Sequence, residues 1–251
     1  MTDETTATEE QPRWWSRATL IGAVIAAVLL PVGALGTKFG VWPFGIGLLF
    51  VFGATILAAI GFGGGLFAWL VARKNQLLVD KKLAGMGALV SGLILALMGV
   101  QANGAFSVPP IHNISTDVND PPAFQAILEQ RGDSANPVEF DAGKLASQQA
   151  EAYPWVRPLL TPLDQASATE RAAKVLESMG LELVTKDATN HLVEATHTSF
   201  WFGFKDDVVV RIRPAGDGSV VDVHSVSRVG QSDLGQNARR IGDFFDGFNE
   251  G

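Results

Sequence analysis

Between Val221 and Phe244 the sequence VDVHSVSRVGQSDLGQNARRIGDF gathers Asp222, His224, Arg228, Ser232, Asp233, Asn237 and Arg240 within a short length of chain, and Asp206, Asp207 and Arg211 stand a little upstream. Carboxylates near an imidazole are the parts of a general acid–base pair, and adjacent carboxylates raise one another's proton affinity. Asp206, Asp207 and His224 therefore define one candidate chemistry, that of a hydrolase. The spacing works against it, because consecutive strand residues point to opposite faces and the two carboxylates do not converge. A Ser–His–Asp set fares no better. Asp222 and His224 share a face, Ser225 and Ser227 fall on the other, and no Gly-x-Ser-x-Gly elbow is present. His191, His197 and His224 lack the helical spacing of a zinc site. No residue is assigned a catalytic or metal-binding role, and no cofactor is implied.

The second candidate chemistry is recognition. Arg228, Gly230, Ser232 and Asp233 could form a small anion or ligand pocket where backbone N–H groups open the last helix. Arg211, Asp222, His224, Asn237 and Arg240 complete the candidate ligand-binding set. The same residues also have a structural reading, which we prefer: Asp233 caps a helix, Arg228 binds a loop carbonyl or carboxylate, and Asn237 and Arg240 lock a strap onto the domain.

These residues must be held by elements whose signals are local. Ser167-Ala168-Thr169-Glu170 reads as a capping box. Ala168, Ala172, Val175, Leu176 and Met179 recur at helical spacing, and Gly180 supplies a left-handed stop. Four strand-like runs follow, Leu181 to Lys186, His191 to Ser199, Asp207 to Arg213 and Ser219 to Ser227, with turn chemistry at each junction. The links are too short for parallel crossovers, so the runs form an antiparallel meander. A final helix, capped by Asp233 or Ser232, carries Leu234, Ala238, Ile241, Phe245 and Phe248 as its apolar stripe. Earlier, Ile111 to Val118 is β-prone, Ala142 to Ala152 is a possible short helix, and the proline-rich stretch after it reads as a strap pinned by Tyr153, Trp155 and Leu159. The expected fold is an α+β two-layer domain, an antiparallel sheet of four to five strands with two helices on one face. Alternation then places Glu194, Arg211, Asp222 and His224 on the outer face of that sheet.

Several of these stretches are long and specific. Val193-Glu194-Ala195-Thr196, the run from Trp201 to Ile212, Val221-Asp222-Val223-His224-Ser225 and the run from Ser227 to Ile241 resemble the family catalogued as domain of unknown function 1499. The resemblance covers roughly Ile111 to Phe248. It implies this α+β domain and brings no established activity. His224 stands where the family leads one to expect Arg.

Upstream the text changes character. Ala18 to Thr37, Phe44 to Ala72 and Leu83 to Gln101 carry no Asp, Glu, Lys, Arg or His, and each is long enough to cross a hydrocarbon core. Residues 1–17 are then an N-terminal tail, 18–102 a transmembrane region with three helices and 103–251 the α+β domain. Arg13 and Arg17 flank the first span, and Arg73, Lys74, Lys81 and Lys82 fill the second connection. The positive-inside rule assigns both to the cytoplasm, and three crossings export the rest. In a bacterium that is the cytoplasmic (inner) membrane and the periplasm. Spans without ionisable groups do not suit an ion pathway. Gly61 and Gly65 form a small-xxx-small pair and read as a helix-packing face. Trp14, Trp15 and Trp42 read as interface anchors, Pro31 as a kink, and His112 as a surface residue.

Charge divides the same way. Met1 to Gln101 holds seven Lys/Arg against five Asp/Glu, and the remainder twelve against twenty-one, a balance of −9. An acidic domain repels nucleic acid. The chain has no cysteine, which excludes disulfides and thiolate chemistry. Asn113-Ile114-Ser115 is a formal glycosylation sequon. The expected partners are the lipid bilayer and either envelope proteins or a small ligand. Three readings follow: a membrane-anchored binding domain, which leads, a periplasmic hydrolase, and an envelope assembly factor acting through its spans.

Overall fold

A computed structural model describes residues 11–250. The chain divides into two compact units, with the boundary between Asn103 and Gly104.

The first unit holds three helices, α1 (Trp14–Lys38), α2 (Phe44–Lys74) and α3 (Leu78–Phe106), each long and apolar enough to cross a membrane. Their packing inverts that of a water-soluble bundle. Large residues such as Phe52, Phe67 and Leu93 face outwards, while the buried positions are small: Ala26, Ala58, Gly61, Gly65, Ala88 and Ser91. In lipid, large apolar side chains gain nothing by turning inwards, and close backbone approach supplies the packing. The glycine pair lies on such a face. A Cβ on Gly61 would stand 2.6 Å from Ser91 Oγ, and one on Gly65 would stand 3.0 Å from Ala88 Cβ. Pro31 lies inside α1. Trp42 stacks on Phe50 at 5.0 Å and donates its indole N–H to the Gly33 carbonyl at 3.1 Å, so it also packs the connection between α1 and α2. Asp80, which the sequence reading passed over, is buried at the start of α3 and accepts from Arg13 N and Ser16 Oγ. One carboxylate thereby ties the first turn of α3 to that of α1.

The second unit is a six-stranded antiparallel sheet with three helices. Its strands are β1 (Asn113–Ser115), β2 (Leu159–Thr161), β3 (Glu182–Asp187), β4 (Leu192–Thr198), β5 (Lys205–Ala215) and β6 (Gly218–Ser227). The order is β1-β6-β5-β4-β3, and β2 pairs with the other half of β6. The stretch expected to be only an extended strap thus contributes a strand, Leu159 opposite Val221 and Thr161 opposite Ser219. Gly218 permits it, since a Cβ there would fall 2.2 Å from the Thr161 carbonyl oxygen. The free side of β1 is closed by α4 (Ala142–Ala152): Gln149 accepts from Ser115 N at 3.1 Å and donates to Ser115 O at 2.7 Å. A side-chain amide stands in for a neighbouring strand, a way of protecting a sheet edge.

Helices α5 (Gln165–Ser178) and α6 (Gln236–Glu250) cover one face of the sheet. Ala168, Ala172 and Leu176 of α5 meet Val193, Val208, Val210, Ile212, Val221 and Val223 of the strands and Ile241, Phe244 and Phe248 of α6. The cap of α5 differs from the expectation. Asp164 is the N-cap, accepting from Ser167 N and Ser167 Oγ at 2.9 and 2.8 Å, and Glu170 turns away to pair with Lys186. The helix begins three residues earlier than a Ser167 cap would place it, so the Asp164 carboxylate takes the N–H of Ser167, which is itself a residue of the first turn. Gly180 ends the helix region at φ +79°, as its type predicts. In α6 the buried aromatic residues are Phe244 and Phe248, Phe245 is partly buried, and Leu234 lies before the helix in a left-handed conformation.

The opposite face is not left to solvent. The irregular segment after β1, with a 3-10 turn over Ala126–Gln130, lays Phe124 and Ile127 on Leu192, Val209 and Val226. Every second position of the central strands is therefore buried on either side.

Candidate functional site

The polar residues of the sheet sort into clusters by strand parity. On the face under the irregular segment, Asp207 is fully buried and accepts from Arg228 Nε and Nη2 at 2.9 and 2.8 Å, from Arg131 Nη1, and from Thr196 Oγ1 at 2.8 Å. Arg228 also donates to the Gln130 carbonyl and Arg131 to that of Asn136. Two guanidinium groups thus bolt the irregular segment to β5. Nearby Glu194, also buried, accepts the backbone N–H groups of Gln125 and Ile127. Main-chain donors of a loop without regular structure are satisfied by a strand carboxylate.

Further along the same face, Arg211 and Asp222 are direct cross-strand partners. Arg211 Nη2 donates to Asp222 at 3.2 Å and Arg213 Nε donates to it at 2.6 Å, while both arginines also reach Asp117. Arg211 contacts Asp120 as well, at 2.8 Å. Two arginines meet three carboxylates here, so both cations are already engaged within the fold.

His224 sits between these clusters, only 2% exposed, tilted against Phe124 at 5.0 Å and edge-on to Phe140. Its Nδ1 lies 2.8 Å from the Pro122 carbonyl and its Nε2 lies 2.7 Å from the side-chain amide of Asn113. Two acceptors would favour an imidazolium. Burial opposes it, with repulsion from Arg131 adding, and outweighs the Pro122 carbonyl: the pKa falls to about 4. At neutral pH the ring is therefore neutral, with one N–H to share between the Pro122 carbonyl and Asn113 Oδ1, while the Asn113 NH2 donates to the carbonyls of Val138 and Glu139 at 3.3 and 3.1 Å. Asn113 is itself buried, so the sequon serves the core.

On the helix-covered face, Arg240 donates to Asp206 at 2.7 Å and to Asn237, which in turn bonds Ser225, Ser227 and the carbonyl of His112. Asn237 and Arg240 thus fasten α6 to β5, β6 and the residue before β1, not to the proline-rich strap. Asp233 accepts from Gly235 N at 2.8 Å and Asn237 N at 2.7 Å, and Ser232 from Leu234 N at 3.2 Å. Burial pushes the Asp233 carboxyl upwards, and the two N–H groups partly offset this. The N–H groups of Leu234, Gly235, Gln236 and Asn237, which an anion at this helix start would use, are thus already bonded to Ser232 and Asp233. His197 lies 4.0 Å from Asp206 on this face; burial and the Arg240 cation lower its pKa.

The eight candidate binding residues therefore do not converge. Arg211 and Asp222 meet, His224 and Arg228 occupy two other places on that face, and Ser232, Asp233, Asn237 and Arg240 belong to the opposite one. Asp206 and Asp207 point apart, as strand parity requires. Among the described residues no group of three His, Asp or Glu could hold a metal ion. A concavity of about 680 Å³ is lined by Ser167, Glu170, Arg171, Lys174 and His191 and contains none of the eight. Arg131, Asp117, Asp120 and Asn136, which complete the clusters, escaped the sequence reading because they lie in a segment without periodicity.

The sequence from residue 113 to residue 248 matches the family described as "Protein of unknown function (DUF1499)", more than half of the chain. The chain belongs to this family. The matched region spans β1 to α6, so the DUF1499 domain is the sheet with its helices, and the three apolar helices lie outside it. The motifs that carry the resemblance hold Glu194, Asp207, Arg228, Asn237 and Arg240, the residues that fasten this domain's layers. No curated protein matches the chain in sequence.

Proposed function

We propose that the chain is a cytoplasmic-membrane protein of three spans that holds its DUF1499 domain on the non-cytoplasmic side, the periplasm of a bacterium, as a binding module for an envelope partner or a small ligand. The orientation is supported by the basic residues: Arg13, Arg17, Arg73, Lys74, Lys81 and Lys82 cluster at the ends of the spans that the positive-inside rule keeps in the cytoplasm.

One observation carries binding over hydrolysis. Each candidate acid or base is engaged within the fold, Asp207 by two arginines, Asp206 by Arg240 and His224 by Pro122 and Asn113. A general base needs reach to a substrate proton. His224→Ala in the full chain tests this reading. A structural histidine loses thermal stability when removed, whereas a hydrolase keeps its fold and loses turnover. Orientation is tested separately by alkaline phosphatase fused after Gly251, which folds to its active form outside the cytoplasm. Activity in intact cells supports the reading, and an inactive but stable fusion contradicts it.

A further inference from the structure

We infer that the groove between α1 and α2 binds one anionic phospholipid, with an acyl chain lying between the two helices and the phosphate held by Lys74.

The two helices run antiparallel and close against each other at one end only. After Ala26 they touch: a Cβ on Gly33 would stand 2.5 Å from Phe50 Cβ, and Trp42 stacks on the Phe50 ring. Ala26 and Ala58 meet midway, both fully buried in a cluster with Ile94. Before Ala26 the pair opens. Helix α3 fills the opening from one side, where Gly87 lies against Thr19 and Ala88 against Gly65. On the other side the opening is a groove of about 510 Å³, walled by Ala18, Gly22, Leu57, Gly61, Gly64 and Ala68. Thr19 also lines it, but its hydroxyl donates to the Ser16 carbonyl at 2.8 Å, so the wall is apolar. Atoms lining such a gap lack partners on its open side, and a chain of methylenes supplies them.

The depth of the groove selects the occupant. Trp14 and Trp15 stand at its open end, and tryptophan marks the membrane–water interface. From Trp14 to Gly22 is roughly 12 Å along α1, and from Val71 back to Leu57 roughly 21 Å along α2. The groove therefore starts at one interface and ends near the middle of a hydrocarbon core of roughly 30 Å. A chain descending from one leaflet fills a seat of that length. A helix of a second copy would cross the whole core, and the contact of Gly33 with Phe50 leaves it no groove beyond the midpoint.

Charge at the mouth selects the headgroup. Phe67, Val71 and Lys74 follow one another at helical spacing, so Lys74 continues the ridge that forms one rim of the groove. Lys74 is exposed and pairs with no carboxylate among the described residues. The single carboxylate among the described residues of this unit, Asp80, is buried and accepts from Arg13 N and Ser16 Oγ. The inference rests on the three spans of the proposed reading and not on which side of the membrane the DUF1499 domain occupies.

The test is native mass spectrometry of the full chain, washed free of lipid in detergent and then offered dipalmitoyl phosphatidylglycerol. The wild type should hold one such lipid per monomer. Gly64→Leu should lose most of that binding, because a Cβ there meets nothing within 4 Å and its side chain enters the groove. Gly63→Leu, equally unobstructed but outside the groove, should bind as wild type does. Lys74→Gln changes only an exposed side chain and tests the headgroup independently of any disturbance to the helices. It should lower the preference for phosphatidylglycerol over dipalmitoyl phosphatidylcholine by roughly fivefold, the worth of one lysine near anionic lipid. Equal binding by folded Gly64→Leu and Gly63→Leu would overturn the inference, as would an unchanged preference in Lys74→Gln. A wild-type dimer that Gly64→Leu converts to monomers would also overturn it, by making a second copy the occupant.

Discussion

Asp206 and Asp207 are consecutive in β5 and serve opposite faces of the sheet, Asp206 bonding Arg240 of α6 and Asp207 bonding Arg228 and Arg131 beneath the irregular segment. A dipeptide that looks like a catalytic pair is instead two fasteners, one for each layer that lies on the sheet. The parity of the strand makes it so.

Asp207→Ala should leave Arg131 and Arg228 partly buried without their anion. Burial already pulls the Arg131 pKa below its usual value, and Asp207 offsets this. Breaking such a pair typically costs about 3–5 kcal/mol. Urea unfolding of the detergent-solubilised full chain, followed by circular dichroism, should show a loss of that order. The exposed Asp217→Ala variant should remain near wild type.

Stability should fall as pH falls from about 6.5 towards 4, on account of His224. Its folded pKa of about 4 lies below the ordinary value. In that window the unfolded chain binds a proton that the folded chain refuses, so stability rises with pH and is complete above the unfolded pKa. The lost contribution is on the order of 3 kcal/mol at the acid end. Asp233 acts in the opposite sense, since its raised carboxyl pKa costs stability as pH rises through it. Melting curves of wild type and His224→Asn across this range isolate the histidine: the variant should lack its slope. A wild type that gains stability relative to the variant on acidification would show that the ring is an imidazolium in the fold.

Asp164→Ala should destabilise α5 by about 1 kcal/mol, the usual cost of losing an N-cap. Ser167→Ala should cost less, because Ser167 donates its backbone N–H to the cap and that group remains. Chemical unfolding of the two variants ranks them directly.

Gly65→Leu should destabilise the helical unit by about 1–3 kcal/mol through overpacking against Ala88. Gly63→Leu, two residues away with nothing within 4 Å of its Cβ position, should be tolerated. Thermal unfolding in detergent compares them.

The elements with local signals were legible in the sequence. Helix α4 was expected over Ala142 to Ala152 and spans those residues, and the four long strands lie within a few residues of their expected runs. Parity alone placed Glu194, Arg211, Asp222 and His224 together on one face. What was not legible depends on distant partners. The segment from Thr116 to Phe140 has no period, so nothing announced that Phe124 and Ile127 would close the second face or that Arg131 would reach Asp207. The N-cap of α5 differs because Asp164 and Ser167 are both capping types three residues apart, and spacing alone does not say which of them starts the helix. Leu234 was counted into the α6 stripe because its spacing fits, whereas its left-handed backbone takes it out.

The account turns on which side of the membrane each unit faces. Ser134→Cys and Asn75→Cys, both at exposed positions in a chain without other thiols, should be treated with a membrane-impermeant maleimide in intact spheroplasts. Labelling at 134 with protection at 75, reversed for Asn75 only once the membrane is permeabilised, is the predicted result. Labelling at 75 with protection at 134 would contradict it.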